Sequence, residues 1–233
     1  MIAGVEPTFY ERAIAPFVHI PVDDAIEIIH GLADKRLKAE KFTRIGERRW
    51  VRVTKEPIRE VFEIRTYSSH FIVNIAVGAG LALPFVPSVN YRTGKPTRVA
   101  RPELREELLS LYETAKDKLP SCEMLAQPSR PLLIEKLQSS VPAWLDIYLR
   151  KFARIKSLRD VRDVLARTRK EMPERNPEYR MMPVQYVALA FTHARLGEWR
   201  KAKAVLESVV RHDKQVANYA DKLRALLIGT KPS

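Results

Sequence analysis

An α+β fold is predicted by three features of this sequence of 233 residues. An amphipathic helical pattern comes early, and period-two alternation follows it between residues 49 and 83. Helical periodicity then dominates from about residue 140 to Ile228. The expected architecture is an antiparallel sheet of about three to five strands packed with helices, followed by a helical C-terminal region.

The chain up to about Ile20 reads as irregular, with Pro7 and Pro16 as breaks. Pro21-Val22-Asp23-Asp24 then opens a helix, with an Asp available as N-cap and acidic residues suited to the helix dipole. Ile26, Ile29, Ala33 and Leu37 share one face of it. After Lys41-Phe42 the period changes to two. Arg49–Val53 and Ile58–Arg65 read as strands joined by a turn at Lys55-Glu56-Pro57. In the next strand Phe71, Val73, Ile75 and Val77 point one way, and Ile72, Asn74 and Ala76 the other. Leu81-Ala82-Leu83 continues it beyond a bend at Gly78 and Gly80. Short connections favour an antiparallel meander.

Residues 89–101 read as a loop, and Pro102 as the first residue of a helix whose stripe is Leu104, Leu108, Leu111 and Ala115. Pro128 and Pro131 mark an irregular stretch or a short strand at Leu132-Leu133-Ile134. Ser140 and Pro142 open a helix through Trp144 and Tyr148, and Ser157 caps the next, with Leu158, Val161, Leu165 and Thr168 inward. The run Met172-Pro173-Glu174-Arg175-Asn176-Pro177 reads as a linker. Two domains are therefore expected: an α+β domain over residues 1–171 and a helical region over residues 178–230, with Gly229 as its stop.

A chain of this length with 45% hydrophobic residues can bury a substantial core. No apolar run reaches the roughly 18 residues that span a bilayer, so no membrane partner is expected. The first residues, MIAGVEPTFYER, show no basic region ahead of an apolar segment, and the single Cys122 fits a reducing compartment. A bacterial cytoplasmic location is expected. A net charge of +13 and a pI near 9.9 favour an anionic partner, either a protein with an acidic surface or a nucleic acid. The excess is uneven: ten Lys and Arg between Arg150 and Arg175 face four acidic residues. That segment lacks the aromatic interleaving and Gly-rich loops common in nucleic-acid binders.

Residues 21–170 resemble a known pattern. A helix is followed by Lys41-Phe42, Arg49-Trp50-Val51, Val61-Phe62-Glu63-Ile64 and Phe71-Ile72-Val73-Asn74-Ile75-Ala76-Val77, and Trp144 to Leu165 resembles closing helices of the form W-L-x-x-Y…S-L-x-D-V. The pattern is similar to that of an uncharacterised bacterial family, domain of unknown function 4304. That family shows Gly where Lys41 stands, and a second Gly where Ala76 stands. The resemblance carries no established activity; some similar small α+β bacterial proteins are immunity proteins that block a toxin.

The stretch Tyr186 to Val210 reads as two amphipathic helices joined at Leu196-Gly197-Glu198. Tyr186, Leu189 and Ala190 line the first helix, and Trp199, Ala202, Leu206 and Val209 line the second. This looks like one tetratricopeptide-type hairpin, a docking element in that family, although His193 stands where Tyr is common and Lys214 where Pro usually ends the unit. Only one copy is visible, whereas a repeat array needs about three units to bury its core. The hairpin therefore either binds a ligand or only closes the core of the first domain.

No nucleotide-binding, nucleophile-elbow or zinc-helix motif is present. His19, His30, His70, His193 and His212 form no ligand-spaced pair. Glu60 and Glu63 point to opposite faces of one strand, which is poor geometry for paired acid–base work. No catalytic, cofactor-binding or metal-ligating set is expected, and no enzymatic activity. The expected function is protein binding, with immunity to a toxin as a specific form of it; the alternative is nucleic-acid association through the Arg150–Arg175 helices. The candidate partner-binding residues are Tyr186, His193, Trp199, Arg154, Arg159 and Arg162.

Overall fold

The computed structural model describes residues 17–54, 57–69, 72–87, 109–110, 122–175 and 183–230. Its fold is α+β, as expected. A six-stranded sheet runs in the order β2 (Thr43–Ile45), β3 (Arg49–Val53), β4 (Arg59–Ser69), β5 (Ile72–Ala82) and β6 (Leu109–Ser110), with β7 (Glu123–Met124) also pairing on β5. Only β3, β4 and β5 exceed three residues. A separate two-stranded sheet joins β1 (Val18–His19) to β8 (Ala126–Gln127). The helices are α1 (Val22–Ala39), α2 (Arg130–Phe152), α3 (Leu158–Arg175), α4 (Pro183–Arg195), α5 (Trp199–His212), α6 (Lys214–Ala217) and α7 (Ala220–Ile228). The chain divides into two compact units. One comprises Met1–Val51, Phe62–Ala79 and Glu113–Arg150; the other comprises Arg52–Val61, Gly80–Tyr112 and Lys151–Ser233.

In the first unit, α1 buries Ala25, Ile26, Ile29, Ala33 and Leu37, the face read from its spacing. Its cap differs from expectation. Pro21 is the N-cap and makes no side-chain cap bond, while Asp23 and Asp24 lie inside the first turn, where their charge still meets the positive end of the helix. The Trp50 indole donates to Asp34 on α1 at 2.7 Å, and Arg44 on β2 donates to the other oxygen of that carboxylate at 3.0 Å. Phe62 is fully buried, with Phe42 and Tyr148 meeting it edge-on at centroid distances of 5.1 and 6.2 Å. Ile64 N–H donates to Arg48 O at 2.8 Å, and Thr54 N–H to Ile58 O at 3.2 Å. This antiparallel alignment sets Arg49 opposite Glu63 and Arg52 opposite Glu60, and both pairs form ion pairs.

Lys41, just past the end of α1, has φ 65°. The left-handed region carries a steric penalty for any side chain with a Cβ. Replacing Lys41 with Gly is expected to raise stability by roughly 0.5–1 kcal/mol, because strain relief exceeds the added freedom of the unfolded chain. The midpoint of urea denaturation reads this directly, and a lower midpoint counts against it.

Several elements differ from the sequence expectation. Val18–His19 is a strand rather than part of an irregular segment, its backbone groups pairing with Ala126–Gln127. Thr43–Ile45 forms a strand that the reading passed over. Leu109–Ser110 pairs with β5 at Gly80 and Leu81 rather than belonging to a helix; the remainder of the helix expected from Pro102 lies outside the described residues. Leu132-Leu133-Ile134 is helical, and α2 runs unbroken through Pro142 instead of starting there. The missing N–H at Pro142 is outweighed by a buried stripe of Leu133, Leu137, Val141, Trp144, Leu145, Tyr148 and Phe152. Residues 172–175 of the expected linker continue α3, while Asn176 and Pro177 lie outside the described residues. The bend expected at Gly78 and Gly80 is replaced by a continuous β5, and Gly78 leaves room for Arg65, whose Nε would stand 2.8 Å from a Cβ there. From Ile75 to Leu83 every residue is buried, so the alternation expected along β5 gives way to burial on both faces.

Candidate partner-binding surface

The helical part of the second unit is built around α4. Its sequence from Gln185 to Ala194 is apolar except at Gln185, Thr192 and His193, and every residue there except Tyr186 is buried. A helix buried on nearly every side is covered on nearly every side, and α4 packs against α3, α5 and α7. Ala188, Ala190, Ala194 and Ala202 are among the buried residues, and side chains of that size let helices approach closely. The α3 cap is reciprocal: Asp160 N–H donates to Ser157 Oγ at 3.3 Å, and the Asp160 carboxylate accepts from the backbone N–H groups of Lys156 and Ser157 at 2.9 Å. These bonds, with the one from the Ser157 hydroxyl, hold the Asp160 carboxyl below its usual pKa.

The turn between α4 and α5 carries the most organised polar cluster of this unit. Gly197, at φ 74°, reverses the chain, and Glu198 is the N-cap of α5. The Glu198 side chain makes no cap bond. Its oxygens instead accept from Arg162 Nη1 on α3 at 2.8 Å and His193 Nδ1 on α4 at 2.5 Å, with Lys201 Nζ at 3.7 Å. An ionised carboxylate only accepts, so Nδ1 is the protonated nitrogen of His193. The His193 bond, then Arg162 and Lys201, lower the Glu198 pKa.

The six candidate residues divide on this frame. His193 is only 7% exposed, so it supports the turn and offers no contact surface. Arg162 is half-buried and bonded to Glu198 and Asp163. Tyr186 is half-buried, while Arg154 and Arg159 are exposed. Trp199, expected to line α5, instead stands 38% exposed at its head, whereas Trp50 and Trp144 are each 1% exposed. The residues that line α5 are Ala202, Val205, Leu206 and Val209. Beside Trp199 in the first turn, Arg200 and Lys201 are exposed. Residues 151–233 carry nineteen Lys and Arg against nine Asp and Glu, which is ten of the net thirteen positive charges.

Glu198 is the residue that the reading missed. The available signal was an acidic side chain at a helix start where Ser, Thr, Asp or Asn is usual. His70 lies outside the described residues; Cys122 is exposed; Asn74 is half-buried on β5, opposite Met124. His30 Nε2 is 2.7 Å from Glu47 O, with the ring edge-on to Trp50. Among the described residues no three His, Cys, Asp or Glu side chains gather as a metal site, and no helix is long and apolar enough to cross a membrane. Compared with protein-family models, curated proteins and solved structures, the chain gives no match.

Proposed function

We propose that the chain is a non-catalytic binding protein whose helical unit docks an acidic protein surface, with Trp199 as the apolar anchor and Arg200 and Lys201 as its charged surround. The observation that carries this reading is the placement of Trp199. The other two tryptophans are buried, whereas this one is held in the open beside exposed cations. Trp and Arg are the residue types that most often dominate binding energy, the aromatic through desolvated contact area and the cation through directed bonds. A toxin neutralised by the chain, acting as its immunity protein in a bacterial cytoplasm, is the specific form of that partner. The charge of residues 151–233 also supports a second reading, nucleic-acid association, in which Trp199 serves as a stacking platform for a base.

Trp199 reports on its own occupancy. An acidic peptide is expected to shield it from acrylamide quenching, with the Trp199→Phe protein supplying the signal of the two buried tryptophans. Trp199→Ala is expected to weaken that peptide about tenfold while leaving the net charge unchanged, a hot-spot loss of about 1.4 kcal/mol. Equal binding by wild type and Trp199→Ala would reduce the interaction to bulk charge and end the reading. Tight binding of single-stranded RNA that falls steeply with salt, without a matching response to the peptide, would favour the second reading.

A further inference from the structure

We infer that Glu198 is a positioning residue for this surface: its carboxylate locks the α4–α5 turn to α3 and so fixes where Trp199 stands. The inference rests on the reading of Trp199 as a binding anchor. An N-cap side chain ordinarily turns back onto the N–H groups of its own helix, but Glu198 makes no such bond. Both oxygens are used elsewhere, Oε1 by Arg162 from α3 and Oε2 by His193 from α4. The backbone is fixed at the same place. Gly197 N–H donates to Ala194 O and Glu198 N–H to His193 O, each at 2.9 Å. Trp199 is the next residue, so its main chain has no slack relative to three helices. An anchor held in its bound position loses less conformational freedom when a partner arrives.

The amide isostere is a weaker clamp. The carboxylate offers two charged acceptor oxygens to two donors, whereas an amide has one neutral acceptor and one donor end. In Glu198→Gln the oxygen still accepts from Arg162 but without the charge, and the amide N–H bonds His193 only once the ring moves its proton from Nδ1 to Nε2, with the packing volume unchanged. Glu198→Gln is expected to raise acrylamide quenching of Trp199 about twofold, to lower its local fluorescence anisotropy, and to weaken the acidic peptide several-fold through a faster off-rate. Arg224→Gln serves as control. It breaks the two-toothed pair with Glu207 that joins α7 to α5, away from the turn, and is expected to leave Trp199 quenching as in wild type. Unchanged quenching in Glu198→Gln overturns the inference, and so does an equal rise in both variants, which would mean general loosening. A rise in Glu198→Gln alone, with no peptide binding even by wild type, upholds the positioning role and refutes the acidic-partner reading.

Discussion

Phe62→Ala is expected to destabilise the protein by about 4 kcal/mol, within the usual range for deleting a fully buried aromatic ring. Phe62 has no solvent exposure, and it sits on β4 with Phe42 and Tyr148 meeting it edge-on. Removing the ring forfeits its transfer free energy and both aromatic contacts. It also leaves a void that Phe42, fixed between α1 and β2, and Tyr148, fixed on α2, cannot close. Urea denaturation followed by circular dichroism measures the loss; a change below about 1 kcal/mol would show that the site collapses around the deletion.

The second large effect concerns the Arg52–Glu60 pair. Glu60 is 3% exposed and accepts from Arg52 Nε at 2.5 Å. Burial raises the Glu60 pKa from 4.5, and the hydrogen bond and charge of Arg52 partly offset that rise. In Arg52→Met the offset disappears and the rise grows. A carboxyl with a raised folded pKa contributes stability that is fully present below its unfolded pKa and lost as pH climbs through the folded value. Arg52→Met is therefore expected to match wild type most closely at or below pH 4.5. It is expected to fall about 3 kcal/mol short near neutral pH, where an unpaired buried carboxylate must be charged or take up a proton. Pairing it with Glu60→Leu is expected to restore most of the loss, since both charges are then replaced by apolar groups. Equal destabilisation at both pH values would show that Arg52 acts through packing of its stem rather than through its charge.

The parts of the fold legible in the sequence are those where one face meets a core. The stripe of Ile26, Ile29, Ala33 and Leu37 gave α1, and unbroken alternation gave β3 and the first part of β4. Proline is a poor guide to these helices. Pro142 reads as a helix start and Pro173 as part of a linker, yet each lies within a helix, and at Pro142 the buried stripe outweighs a single lost backbone bond. Strands of two or three residues, such as Val18–His19 and Thr43–Ile45, are too short to show a period, and their existence depends on partners distant in sequence. The candidate surface was half legible. Spacing identified the hairpin and its turn, but Arg162 meets Glu198 across 36 residues, a contact that no local pattern encodes. Trp199 reads as a lining residue by helical position. It escapes burial because it opens the helix, before α5 settles onto α4.

The way the main sheet ends bears on how this protein meets others of its kind. Its outer strand, β2, is three residues long, with Thr43 and Arg44 exposed and Arg44 tied to Asp34, while β6 and β7 occupy the two ends of β5. An incoming chain would gain about two ladder bonds on β2 before the register runs out. Short, charged borders of this kind are how sheet proteins resist growing into fibrils. A concentrated solution of the folded protein should accordingly stay free of amyloid-type assembly templated on β2.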